Sequence, residues 1–154
     1  MLGDSLEKIA AEKAGIIKPG ICIIGEGMED LWPVFDEKMW ETKAKMYASS
    51  PMNDFREHCD LKGDYQRANL NTAYALFELG FMGPVELPFK VDYKQVLAGF
   101  GKVREHTGLR GRWEVQQEQP KIIFDIAHNE PAIRAVINEL QKEASGQIRM
   151  VIGF

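Results

Sequence analysis

The stretch that decides the fold is Lys121-Ile122-Ile123-Phe124-Asp125-Ile126-Ala127-His128-Asn129-Glu130-Pro131, which runs on through Ile133, Val136, Ile137 and Leu140 to Ala144. Residues 121–126 read as a short apolar strand, and such runs are usually covered on both faces. Residues 131–144 carry apolar positions at helical spacing, with Pro131 near the first turn, where a missing N–H costs nothing. Residues 148–152 form a second apolar run. Two short buried strands around a helix imply a parallel pair with a right-handed crossover, so the expected class is α/β. The chain stops at Phe154, which leaves this unit reading as unfinished, and both ends read as cut.

Working back towards Met1, residues 106–112 hold two glycines and two arginines and read as a domain boundary. Before it come a short helix over 93–103, a loop over 84–88, and a stronger helix over 65–79 with Gly80 as its stop. Leu70, Ala73, Tyr74 and Phe77 are the expected buried stripe of that helix. Residues 47–63 follow no pattern, and a helix is expected over 34–45. Residues 21–24 read as a strand covered on both faces, preceded by a Pro19-Gly20 turn. The opening helix spans 5–14, with Asp4 as its cap, Glu7 reaching back and Gly15 ending it.

Composition narrows the function. The chain has 154 residues, 45% of them hydrophobic and 10% aromatic, enough for a packed core. Its 23 acidic and 19 basic residues give a net charge of −4 without a basic block, which argues against nucleic acid as a partner. No run is long enough to span a membrane, and the start is not a secretory signal, so the expected location is cytoplasmic. Cys22 and Cys59 lack metal-ligand spacing and read as free thiols.

Several residues can carry chemistry. Lys13 falls on the stripe of Leu6, Ile9, Ala10 and Ala14; it is either a lysine snorkelling from a helix end or one buried enough to lose its proton and react. Asp125 stands at a strand end, and His128-Asn129 lead into a helix, the place where open α/β sheets hold anionic ligands. A plain cap and loop filler explain the same residues. Gln66 and Asn69 share a helix face and read equally well as solvated polar groups. Arg110 and Arg112 either clamp phosphate or flank a hinge. Gly25-Glu26-Gly27 and Gly99-Phe100-Gly101-Lys102 lack the spacing of a nucleotide fingerprint.

Together the pieces resemble a family. Residues 2–20, Leu-Gly-Asp-Ser-Leu-Glu-Lys-Ile-Ala-Ala-Glu-Lys-Ala-Gly-Ile-Ile-Lys-Pro-Gly, look like the signature of folylpolyglutamate synthase and dihydrofolate synthase, members of the Mur ligase superfamily. Tyr65-Gln66 with Asn69 resembles the motif heading a late central-domain helix. Gly111-Arg112-Trp113-Glu114 resembles the family's hinge, and Asp125 with Ala127-His128-Asn129 its Asp-Gly-Ala-His-Asn segment, with Ile126 in place of glycine. The four motifs stand in the family's order.

The resemblance implies that residues 1–108 are the later part of a Mur-type central ATP-binding domain and 109–154 the start of a Rossmann-like C-terminal domain. It places the phosphate loop and a metal-binding histidine upstream of Met1. It implies that Lys13 is carbamylated and helps hold a second magnesium ion, that Asn69 contacts adenine, that Arg112 and Asp125 contact the nucleotide, and that His128 lies beside its phosphates. Lys13 and His128 are thus the expected catalytic residues, Asn69, Arg112 and Asp125 the cofactor-binding ones, with ATP and Mg2+ as cofactors. The implied chemistry is ATP-dependent: a folate or dihydropteroate carboxylate takes the γ-phosphate as an acyl phosphate, which the amine of glutamate then displaces. Closure about the hinge near Gly111 would assemble the site. The expected parent is monomeric, with small-molecule substrates and neither nucleic acid nor membrane as partner. The alternatives are another Mur-type amino-acid ligase and a non-catalytic nucleotide-binding module.

Overall fold

The computed structural model describes residues 5–82, 86 and 88–153. The chain divides into two compact units, one of Met1–Asn53 with Ala68–Lys90, the other of Asp54–Arg67 with Val91–Phe154.

In the first unit, α1 (Leu6–Ala14) begins where the Ser5 side chain accepts a hydrogen bond from the Lys8 N–H at 3.3 Å. The cap is Ser5; the expected cap, Asp4, lies outside the described residues. Gly15 ends the helix as expected. Strand β1 (Ile21–Ile24) pairs in parallel with β2 (Lys45–Ala48), Ile21 opposite Lys45 and Ile24 opposite Ala48. Between them α2 runs over Trp32–Thr42, shorter than the helix expected over 34–45. Lys43 adopts φ 59, a left-handed conformation that no helix continues through, and the chain turns there into β2. With only Met46 and Tyr47 between Lys45 and Ala48, β2 is too short to display a period. Ala10, Ala14, Ile17, Ile24, Phe35 and Met39 close into the core of this unit.

Helix α3 (Gln66–Met82) runs through Gly80 rather than stopping there. Its buried positions are Gln66, Leu70, Asn71, Ala75 and Leu79, whereas Ala73 is exposed and Tyr74 and Phe77 are half-buried. The buried stripe is therefore rotated from the expected one and takes in a polar residue, Asn71, whose side-chain amide donates to the half-buried Glu26 at 2.7 Å.

In the second unit the expected helix over 93–103 is two: α4 (Tyr93–Phe100), closed by an Asp92–Gln95 capping box, and α5 (Val103–Thr107). Phe55 meets Phe100 edge to face at 5.6 Å between ring centres, seating the segment before α3 on α4. The expected parallel pair is corrected here. Strand β4 (Lys121–Phe124) pairs antiparallel with β3 (Glu114–Glu118), Glu114 opposite Phe124, with one irregularity between Val115 and Gln117. Residues 148–152 form no strand among the described residues. A strand needs a hydrogen-bonding neighbour; β4 finds one in the polar β3, across a turn of only two residues, whereas Val151 is 99% exposed. Helix α6 (Glu130–Glu143) forms as expected, but Ile133, Val136 and Leu140 line an open cleft of about 630 Å3 instead of a closed core.

Candidate functional site

The chemistry-bearing residues of the second unit gather where β4 ends. Asp125 follows the last residue of β4, and its carboxylate takes three donors. Its Oδ2 accepts the Tyr65 hydroxyl at 2.8 Å and the Trp113 N–H at 2.8 Å, and its Oδ1 accepts the Ala127 N–H at 2.9 Å. Burial, followed by this bond to a carboxylate, pushes the Tyr65 phenol well above its ordinary value, with the nearby Arg112 charge opposing. The hydroxyl therefore remains a donor.

Trp113 is 1% exposed and holds a left-handed backbone at φ 46. Beside it, the buried Glu114 folds the preceding loop onto β3: its Oε2 accepts the Gly111 N–H at 2.7 Å and its Oε1 pairs with Arg110. The Gly111 N–H, with Arg110 assisting, holds the Glu114 carboxyl below its usual range. Arg110 is thus engaged by Glu114. Arg112 is half-buried, its carbonyl accepts from Arg104 at 3.0 Å, and its side chain makes no hydrogen bond among the described residues.

His128 is exposed, and its Nδ1 lies 3.0 Å from the Ile126 carbonyl. A carbonyl only accepts, so Nδ1 carries the hydrogen and Nε2 is left facing outward. Asn129 caps α6, accepting from the Ala132 N–H at 3.0 Å. The capping role weighed for Asn129 is real. Asp125, His128 and Arg112 lie in this one unit.

The remaining expected residues sit elsewhere in the chain. Lys13, in the last turn of α1, is exposed, and Leu6 is 68% exposed. The expected burial of Lys13 is corrected: Ala10, Ala14 and Ile17 turn inward, and Lys13 lies outside their arc. Gln66 is 3% exposed, whereas Asn69, three residues on, is exposed, so the two do not share one environment. Among the described residues no three histidine, cysteine, aspartate or glutamate groups converge. Cys22 and Cys59 are free thiols. No described helix is long and apolar enough to cross a membrane.

Sequence reasoning missed the partners of Asp125 and of the turn before α3. The hydroxyl of Tyr65 lies 60 positions from Asp125, and the Glu139 carboxylate that accepts the Asp64 N–H lies 75 from it. No local period reports pairs at that separation.

No family model matches the sequence. The chain is 30% identical to a folylpolyglutamate synthase of Arabidopsis thaliana, over 77% of this chain and 22% of that protein. It is 26% identical to a dihydrofolate synthase/folylpolyglutamate synthase of Bacillus subtilis, over 98% of this chain and 39% of that protein. Its fold matches the structure of Mycobacterium tuberculosis folylpolyglutamate synthase complexed with ADP at a TM-score of 0.68 and 22% identity, covering 93% of this chain and 36% of that one. The chain thus spans between 22% and 39% of the length of these proteins. The structural match shows the expected α/β fold.

Proposed function

We propose, from the premise that this chain is a relative of the folylpolyglutamate and dihydrofolate synthases, that it supplies part of an ATP-dependent ligase joining glutamate to folate. The observation that carries the reading is the end of β4. A carboxylate is held there by three donors, beside a half-buried arginine and a histidine that leads into a helix start.

Each group has a part. A carboxylate offers about four acceptor positions, so three donors leave Asp125 one with which to accept a nucleotide hydroxyl. Arg112 supplies a fixed positive charge to a phosphate. His128, with its Nδ1 turned to the Ile126 carbonyl, presents Nε2 towards a phosphate oxygen. At the start of α6 Pro131 has no N–H and the Ala132 N–H is taken by Asn129, so the helix end contributes the positive end of its dipole rather than a set of free donors. Asn69 is assigned to adenine, and residues 1–108 and 109–154 to the central and C-terminal domains, on motif resemblance. Compactness groups 54–67 and 91–108 with the later residues.

The ligase reaction is phosphoryl transfer to a carboxylate, giving an acyl phosphate, then displacement of phosphate by the glutamate amine. Lys13 takes its carbamate role from the resemblance, and no step here is routed through a metal ion. The test is phosphate release by the full-length protein that carries this sequence, with ATP, folate and glutamate supplied. Asp125→Ala should raise the KM for ATP by at least tenfold while the KM for glutamate stays put. Release that does not require folate and glutamate overturns the ligase reading. An unchanged KM for ATP overturns the role of Asp125.

A further inference from the structure

We infer that Tyr65 is the positioning residue for Asp125: its hydroxyl turns the carboxylate so that a single acceptor position, on Oδ1, faces a hydroxyl-bearing ligand. This rests on the nucleotide reading of Asp125 above.

The count of donors carries the argument. Oδ2 takes both the Tyr65 hydroxyl and the Trp113 N–H and is filled, while Oδ1 takes only the Ala127 N–H. Tyr65 is the only side-chain donor to Asp125 among the described residues; the other two are backbone groups. The terminal torsion of an aspartate is broad; the two backbone N–H groups take one position on each oxygen, and the Tyr65 hydroxyl joins them in holding the carboxylate plane and fills the second position on Oδ2, so that the open one is on Oδ1. A carboxylate only accepts, so the ligand group at Oδ1 must donate, as a sugar hydroxyl does.

The chain before α3 is arranged to deliver that hydroxyl. Gly63 adopts φ +100, and a Cβ there would stand 2.6 Å from Cε1 of the Tyr65 ring, so the ring folds over a position only glycine can fill. The Asp64 N–H donates to the buried Glu139 at 3.1 Å, and the Asp64 carboxylate pairs with both Lys142 and Arg56. Residues 63–65 are thus anchored to α6 on one side and to the end of β4 on the other. Tyr65 stands in the stretch Tyr65-Gln66 with Asn69 that resembles a family motif, but it is off the expected stripe of α3 and spacing gave it no role.

The test is calorimetric titration of the full-length protein with ADP, for wild type, Tyr65→Phe, Asp125→Ala and the double variant, each with a thermal unfolding curve. Tyr65→Phe should weaken ADP about tenfold, and Asp125→Ala by at least as much. The double variant should bind as Asp125→Ala does, because a residue acting through Asp125 has nothing left to act on. Gly63→Ala keeps the hydroxyl but displaces the ring; it should also weaken ADP, and should be silent in the Asp125→Ala background. A Tyr65→Phe protein that melts lower yet binds ADP within twofold of wild type overturns the proposal, as do losses that multiply in the double variant. If Asp125→Ala itself leaves ADP binding unchanged, the nucleotide reading falls and takes this inference with it. A loss for Asp125→Ala with none for Tyr65→Phe or Gly63→Ala removes the inference alone.

Discussion

The indole N–H of Trp113 donates to the Glu143 carboxylate at 3.2 Å, tying the residue just before β3 to the last turn of α6. Glu143 in turn pairs with Lys121 at the start of β4, which lifts the Lys121 pKa. One side chain thus joins the hairpin to the helix. Trp113→Ala should lower stability by about 3–5 kcal/mol, the usual cost of deleting a buried tryptophan. Trp113→Phe, which keeps much of the apolar area, should cost distinctly less. Urea unfolding of both variants measures this, and equal losses would mean that the apolar area contributes little.

Gly111 and Gly108 allow a matched comparison. Both have left-handed backbones, φ +69 and φ +67, so alanine at either position carries about 1–2 kcal/mol of backbone strain. Only at Gly111 would a Cβ also stand 2.5 Å from the Ile126 side chain. Gly111→Ala should therefore destabilise clearly more than Gly108→Ala. Equal denaturation midpoints would show that Ile126 moves aside at no cost.

Acid should weaken the second unit. The Arg56 guanidinium holds the Asp54 carboxyl down at about 2, against 3.8 when unpaired, and Lys142 lowers Asp64 in the same direction. A depressed folded-state value means that the stabilisation is complete above the unfolded value and is lost as pH falls towards about 2. Unfolding midpoints should thus fall between pH 4 and pH 2, about the window those two values set. Asp54→Asn should flatten the slope there and lower stability at pH 7 by the same small amount, small because the group is exposed. An unaltered slope in Asp54→Asn would assign the acid loss to other carboxylates.

Lys13 separates two accounts of α1. If it acts as a carbamate, Lys13→Ala in the full-length protein should abolish turnover, and Lys13→Arg should not restore it, because a guanidinium does not form the carbamate. Near-normal turnover in Lys13→Arg would favour an exposed lysine at a helix end. Stability should not distinguish the variants, since Lys13 lies outside the core formed by Ala10, Ala14 and Ile17.

The sequence by itself determined what is local. The continuous apolar run of β1, the presence of α1, α3 and α6, the Asn129 cap and the family motifs are all written in neighbouring residues. A period or a cap can therefore report them. Tertiary structure alone decided the partners. The polar strand Glu114–Glu118 carries almost no apolar signal, yet it claims the edge of β4 and makes the pair antiparallel. The four-residue β2 exists only because β1 lies beside it. At the candidate site, Asp125 was legible from its place at a strand end, but the hydroxyl that orients it comes from Tyr65. Nor could spacing settle Lys13: a stripe drawn at helical period spans a wide arc, and only packing against Phe35 and Met39 decides which side of that arc is buried. Hydrogen bonds and burial depend on distance in space, and a one-dimensional pattern records it only over a turn or two of chain.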